Sequence, residues 1–578
     1  MNEILDIRFH GKLTSDISLQ FNKIAHEKRS DFNDFIAIIS RPNIENIDWW
    51  VEGPASRNTY SSSLFHNYCA IHLLNHLITD KFFFYDKVLV DSSHVASVIE
   101  CLLKRLDIKN CKVIIENSFK NNLKRYLKRN FLIFFLLFRK YFQMVIARFF
   151  APSKIHNNQL ILIDTFLMPG YIDSDRWYGT LWENLSKKKK LEAFFVPTLV
   201  LTKFKDIISI YKNANSSNRN YIFKENFLNL NDIIFAFRHK KRLKKIKFDD
   251  INVLKCDFSN LIEDELNNNA DINAVLESIL TYRFIRNFKL KGYKVNIAID
   301  WFEGQSLDKA WNMGFKFFYP KTKTIGYRPN ESFPFYMSSF PTLIEKQAKV
   351  IPDFFAIQGK ATEITLKEFM PDMKIILIPS FKSQYVWNFK RTKVNHNNKI
   401  ILIPLPISIK SSRVIIERLV EVFKLNSFES SQIILLFKPH PAQSLKKLKA
   451  DLVDFPNYIS FTLEKSFIKL LTLASVLITE ASSTCLEAMA CGVPVIMMEN
   501  QEGLTYDSIP SSISDEIYRK VRTENQLIQA IDYFIFLDIE ATGKLELIGK
   551  EVRKNYFEPI SQRGINRLMK IDTLKKRK

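Results

Sequence analysis

Residues 431–441 read SQIILLFKPHP and residues 474–499 read ASVLITEASSTCLEAMACGVPVIMME. In each, a short continuous apolar run of the kind buried on both faces of a sheet breaks into a polar cluster. The clusters are Lys438-Pro439-His440-Pro441 and Thr479-Glu480-Ala481-Ser482-Ser483-Thr484. Polar residues at the carboxyl ends of strands lie where open α/β sheets bind ligands. After the second cluster the pattern predicts a helix from Thr484 to Ala490, a stop at Gly492 and another buried strand. That order is a βαβ unit, and the fold class it implies is α/β with a parallel, doubly wound sheet.

Working outward, the same kind of run recurs at DFFAIQG (353–359), MKIILIPS (373–380), KIILIPLPIS (399–408) and YISFT (458–462). An earlier series comprises FIAIIS (35–40), KVLVDS (87–92), KVIIEN (112–117), LILIDT (160–165), EAFFVPT (192–198) and VNIAID (295–300). Helical stretches lie between most of them, which implies parallel sheets covered on both faces. A chain of 578 residues exceeds what one core usually supports. The expected organisation is a domain over 1–340 with a basic amphipathic insertion at 118–157, a second over 341–555 and a basic tail over 556–578.

Composition narrows the partners. The charge balance is 84 − 61 = +23, an excess that favours a polyanion, an anionic membrane face or a phosphorylated ligand. No zinc-finger spacing or aromatic RNA-binding strand supports nucleic acid. Six cysteines without a C-x-x-C pair, and a polar start (MNEILDIRFHGKLTSD) without an apolar signal region, suggest a reduced, cytoplasmic protein without structural zinc. The segment NNLKRYLKRNFLIFFLLFRKYFQMVIARFFAPSK (121–154) interleaves cations with aromatic and aliphatic residues. Its longest uncharged apolar run, Phe131 to Phe138, falls well short of the about 20 residues that span a bilayer. Two readings stand: a helix docked in the interface of an anionic inner membrane, or a buried helix with basic ends.

EAMACGVPVI and the strand before it resemble the donor half of GT-B glycosyltransferases, in which a nucleotide-sugar site lies in the cleft between two Rossmann-like domains. The K-P-H-P turn followed by a Ser-Ser turn resembles the HP and SS motifs of bacterial sialyltransferases and Kdo transferases, and those of CDP-glycerol polyol-phosphate polymerases. The resemblance covers residues 350–500 and implies a cytidine nucleotide donor. It makes 341–555 the donor domain and 1–340 the acceptor domain. In donor binding it implicates Lys438, His440, Pro441, Ser482, Ser483, Thr484 and Glu487. Chemistry agrees: a histidine at a strand end, stiffened by prolines, donates to or protonates a phosphate, and hydroxyls at a helix start favour an anion. The plainer reading is that Ser482 or Ser483 caps the helix and His440 is an ordinary turn residue. Glu487 follows Glu480 by seven residues, near one helix face if Glu480 opens the helix. In retaining GT-B enzymes, whose spacing is one residue longer, the second glutamate holds the donor ribose; the E-x6-E here departs from that pattern, and Glu487 is the candidate ribose ligand by this resemblance.

The catalytic base is expected from the other domain. VNIAIDWFEGQSLDKAW places Asp300 at a strand end and Glu303 in the turn before a helix, and this resembles the D/E-x-G motif of bacterial sialyltransferases, with Asp308 where a related motif has glutamate. Glu303 is the first choice, Asp300 the second and Asp164 an alternative; a dipole-favoured helix start is the bland alternative for Glu303. In WWVEGPASRNTYSSSLFHN (49–67), Arg57, Asn58 and Trp50, with Trp49, are candidates to line an acceptor groove. The D-x-D match at Asp173–Asp175 reads as incidental, so no metal and no cofactor beyond the sugar donor is expected. A polyol-phosphate transferase needs a second histidine, for which His66 and His94 are the candidates. The expectation is therefore a peripheral cytoplasmic enzyme moving a CMP-activated ulosonate, Kdo or sialic-acid-like, onto a lipid-linked surface glycan. UDP- or GDP-sugar transfer, or a non-enzymatic assembly role, are the rivals.

Overall fold

A computed structural model describes residues 3–570 apart from 116–118, 154, 156–158, 201, 249–250, 268–270, 391–398, 426–432, 442, 450–457 and 481. Two six-stranded sheets form its frame. Across the first, the strands run Ile375–Leu377, Phe354–Ile357, Lys323–Arg328, Val295–Trp301, Leu160–Leu167 and Ala193–Leu199, all parallel. Numbered along the chain from one edge, that order is 2-1-3-4-5-6. Across the second they run Ile459–Phe461, Ile433–Lys438, Lys399–Pro404, Val476–Thr479, Val495–Met498 and Tyr518–Val521, also parallel, in the order 3-2-1-4-5-6. Both are doubly wound orders, each with one point where the winding reverses and a crevice opens at the carboxyl ends. In the first sheet that point lies between Leu160–Leu167 and Val295–Trp301; in the second it lies between Lys399–Pro404 and Val476–Thr479.

The strands are apolar because helices cover both faces. In Leu160–Leu167 all residues but Phe166 are buried, and Val476–Thr479 and Val495–Met498 are buried throughout. Gly492 ends the helix Thr484–Ala490 with φ +69, a conformation in which a side chain is strained. A Cβ at Gly549 would lie 2.6 Å from the Gly492 nitrogen, so the helix Ile539–Tyr556 packs there backbone to backbone.

Several expectations require correction. FIAIIS (35–40) belongs to the helix Arg29–Ser40, because Phe32, Phe35, Ile36 and Ile39 are buried at helical spacing. Lys87–Val90 and Lys112–Ile115 pair with Ile4–Asp6 in a separate three-stranded parallel sheet. A boundary at 340 cuts through the first sheet, whose last two strands are Phe354–Ile357 and Ile375–Leu377; the second sheet begins at Lys399. The residues after 556 are not a free tail up to 570. The helix Gln562–Met569 buries Ile565, Leu568 and Met569 in the core of the first domain, and Arg567 donates to the Leu377 carbonyl at 3.0 Å. Residues 571–578 lie outside the described residues.

The two domains are tied twice. On one side Gly359 packs on the Tyr556 backbone, and Ala361 N–H donates to the Asn555 carbonyl at 3.0 Å. On the other, Leu13 N–H donates to Glu502 O (3.0 Å), Asn22 Nδ2 to Gly503 O (2.9 Å) and Thr505 N–H back to Asn22 Oδ1 (2.8 Å). The 118–157 insertion is built around one 32-residue helix, Phe119–Phe150, laid along the first domain.

Candidate functional site

Lys438 ends its strand and His440 follows in the turn, both half-buried, while Pro439 is buried and Pro441 exposed. The sequence reading missed a brace for this turn. Gln443 N–H donates to His440 O at 2.8 Å, and its side chain donates to Pro406 O at 2.7 Å and Ser412 Oγ at 2.8 Å. The turn is thereby fixed to the loop leaving the adjacent strand Lys399–Pro404. Burial lowers the His440 pKa to about 4, helped by the nearby Arg176 and Lys438 charges; burial and Arg176 likewise lower Lys438. Arg176 belongs to the first domain, in the loop after Leu160–Leu167, so the cleft gathers cations from both domains. No motif announces it; the one hint was its place in the DSDRWYG segment. Asp175 caps that turn by accepting from Trp177 N–H (2.7 Å) and Tyr178 N–H (2.8 Å), and Asp173 accepts from Ser217 (2.7 Å).

Beyond the intervening strand Lys399–Pro404, after Val476–Thr479, Ser482, Ser483 and Thr484 are half-buried, with Ser482 Oγ 2.8 Å from Thr484 Oγ1. The Ser482–Thr484 cluster borders the reversal point of the second sheet, and the K-P-H-P turn lies one strand away from it. Glu480 precedes the helix rather than opening it, so it shares no helix face with Glu487; burial lifts its pKa to about 7 against the pull of Arg418. Glu487 accepts from Ser383 Oγ at 2.6 Å, which joins the helix to the segment crossing between domains.

Across the cleft, Glu303 stands half-buried just beyond the strand Val295–Trp301, at the reversal point of the first sheet. Its carboxylate accepts from Trp301 Nε1 (2.9 Å) and Gln305 Nε2 (2.7 Å). Asp308 secures the turn from below by accepting from Glu303 N–H and Gln305 N–H, each at 2.9 Å. Burial raises the Asp308 pKa to about 7. Gly304 adopts φ +72 with the Ser338 carbonyl pressed against it, so any side chain there displaces the turn. Tyr60 lies beside it, 61% exposed, ring to ring with Tyr336 (5.1 Å) and stacked on Tyr506 of the second domain (5.6 Å).

Other candidates are elsewhere. Asp300 is fully buried, bonded to Asn312 Nδ2 at 2.9 Å, with its pKa raised by burial and by Asp308, so it lies behind Glu303 and reaches no acceptor. Asp164 is equally buried, its pKa lifted to about 8. Trp49 and Trp50 are fully buried, and Arg57 is engaged with Asn33, Phe340 O and Glu345; Asn58 is buried, with Oδ1 accepting from Tyr60 N–H. None of these lines a groove: the segment packs the core and offers only Tyr60 to the cleft. His66 is bonded to the Ile7 carbonyl and His94 pairs with Asp264, so each already has a partner within the first domain.

Two Rossmann-like domains, tied by a returning C-terminal helix and opening on a common cleft, make the GT-B architecture. No family model matches the chain. No curated protein matches it. Solved structures that share its outline include the S. aureus MnaA–UDP co-structure (12% identity, 72% of this chain and 97% of that one, TM-score 0.42). Others are the calicheamicin glycosyltransferase CalG4 (8%, 72% and 98%, TM-score 0.41) and the Neisseria meningitidis UDP-GlcNAc 2-epimerase bound to UDP-GlcNAc (12%, 72% and 100%, TM-score 0.42).

Proposed function

We propose that the chain is a glycosyltransferase using a nucleotide-sugar donor, with a CMP-activated ulosonate such as Kdo or a sialic-acid-like sugar passing to a lipid-linked glycan. The observation that carries the reading is the gathering of Arg176 from the first domain beside Lys438 and His440 of the second, with a held carboxylate, Glu303, at the reversal point of the first sheet. The acceptor oxygen attacks the anomeric carbon, the bond from that carbon to the phosphate oxygen breaks, and the acceptor proton passes to Glu303. The leaving phosphate is held by Lys438 and Arg176, and His440 donates to it, with the Ser482–Thr484 hydroxyls alongside. The cytidine assignment draws on the resemblance of the K-P-H-P and Ser-Ser turns.

The test is thermal stabilisation by CMP, CDP, UDP, GDP and ADP, wild type against His440→Ala. A ligand at 100 times its Kd stabilises by about 2.7 kcal/mol. CMP alone raising the midpoint, with the effect lost in the variant, is the expected result. Preference for UDP or GDP overturns the donor assignment, and no response to any nucleotide overturns the transferase reading.

A further inference from the structure

The helix Phe119–Phe150 turns its apolar stripe outward. Phe131, Phe134, Phe135, Phe138, Phe142, Val145 and Phe149 recur every three or four residues and all are exposed, Phe131 by 71%, Phe134 by 61% and Phe149 by 78%. Isolated exposed apolar residues are ordinary, but a continuous row on one helix face is not. The row widens onto a second element. Phe142 meets Phe204 edge to face at 5.9 Å, and Phe204 and Ile208, both exposed, belong to the turn and helix over 204–216 packed alongside.

Exposed Lys128, Lys203, Lys205 and Lys212 rim this surface, against which the 203–212 segment sets a single acid, Asp206. Aromatic rings inside a basic rim match the interface of an anionic bilayer, where rings sit at headgroup depth and cations meet lipid phosphates. The residues Lys128–Phe150 are long and apolar enough to cross a membrane by composition, with mean hydropathy 1.4. The opposite face decides against crossing. Ile133, Leu137, Met144 and Ala147 are buried on the protein, and Lys140 pairs with Glu225 (3.0 Å) and Glu277 (2.6 Å). Arg139 donates to Thr202 O and Arg148 to Leu228 O, each at 2.7 Å.

We infer that this composite face, the outer side of Phe131–Phe149 together with Phe204 and Ile208, docks flat on an anionic lipid surface without spanning it. The end of the helix packs near Leu167 and Ile172, which flank the loop leading to Arg176, so the docked membrane lies beside the cleft. Docking itself does not depend on the transferase reading; only delivery of a lipid-linked acceptor does.

The experiment is co-sedimentation of the purified full chain with phosphatidylglycerol or phosphatidylcholine vesicles, which needs no substrate. Expected are binding to phosphatidylglycerol, weak binding to phosphatidylcholine, and an about tenfold or greater loss in Phe134→Glu/Phe138→Glu and in Lys203→Glu/Lys205→Glu. Phe204→Glu is expected to weaken binding as well, which tests the second element; all positions are exposed, and unchanged thermal midpoints verify folding. No binding to phosphatidylglycerol overturns the inference, as does a wild-type dimer that Phe134→Glu/Phe138→Glu dissociates. Equal binding to both vesicles overturns the role of the cations, and resistance to alkaline carbonate extraction overturns the flat geometry.

Discussion

The two domains treat charge in opposite ways. In the first, ionised groups are buried in pairs: Arg57 with Glu345, to which Lys309 also binds, Lys140 and Lys224 with Glu277, and His239 between Asp48 and Glu52. Glu345 and Glu277 are both held at a pKa of about 2 by cations that overcome the cost of burial. In the second, Lys438 and His440 stand half-buried at a strand end, their pKa values lowered by burial and by a like charge from across the cleft. A buried paired ion is a fastener, because removing one partner strands the other. Cations crowded together at a strand end are instead relieved by an incoming anion. The difference separates charges that hold the fold from charges that await a ligand.

Glu303 is where the comparison breaks most easily, since it is the one carboxylate of the first domain assigned to chemistry rather than to fastening. Glu303→Gln keeps an acceptor for Trp301 Nε1 and loses the base. Turnover with the donor selected by the nucleotide series is expected to fall about 10²–10⁴-fold. Nucleotide stabilisation is expected to stay unchanged. Turnover close to wild type would place the base elsewhere and return Glu303 to the structural class.

Arg57→Ala sharpens the other side. It removes one of the two cations on the buried Glu345 carboxylate, leaving Lys309, and leaves the Phe340 carbonyl without its donor. The expected loss is about 3–5 kcal/mol in urea unfolding. A loss near that of an exposed pair, about 1 kcal/mol or less, would show that the fastener is dispensable. The sign with pH follows from Glu345, whose folded pKa of about 2 lies below its ordinary 4.5. Its contribution is full above pH 4.5 and fades as pH falls toward 2.

The same contrast governs what the sequence discloses. The second domain is legible because its strands are continuous apolar runs and its site residues follow them directly, as Lys438 and His440 follow Ile433–Phe437. The first domain hides its plan. FIAIIS fits a strand and a helix face equally well, and the helix prevails through burial of Phe35, Ile36 and Ile39. Arg57, in a polar loop, reads as a ligand contact until the fold brings in Glu345, 288 residues away. Trp50 reads as a stacking platform, yet its ring is fully buried and its Nε1 donates to Ile44 O at 3.0 Å. Arg176 carries no motif, because its role depends on which turn of the other domain faces it.

The finest test concerns that facing. His440 has a folded pKa of about 4 against an ordinary 6.5, so folding releases a proton between those values. Stability from the neutral imidazole is present above pH 6.5 and declines as pH falls toward 4. An anion bound beside His440 raises its pKa again, so nucleotide binding takes up a proton and tightens as pH drops through that window. Calorimetry in buffers of different ionisation enthalpy reads the uptake directly, and it is expected to vanish in His440→Ala. Arg176→Ala removes one of the charges that depress His440, so the uptake window moves up in pH while nucleotide affinity falls by about tenfold, the scale of one charge-assisted contact. Binding without proton uptake would put the anion away from His440, and an unmoved window in Arg176→Ala would mean that the two domains do not share the phosphate.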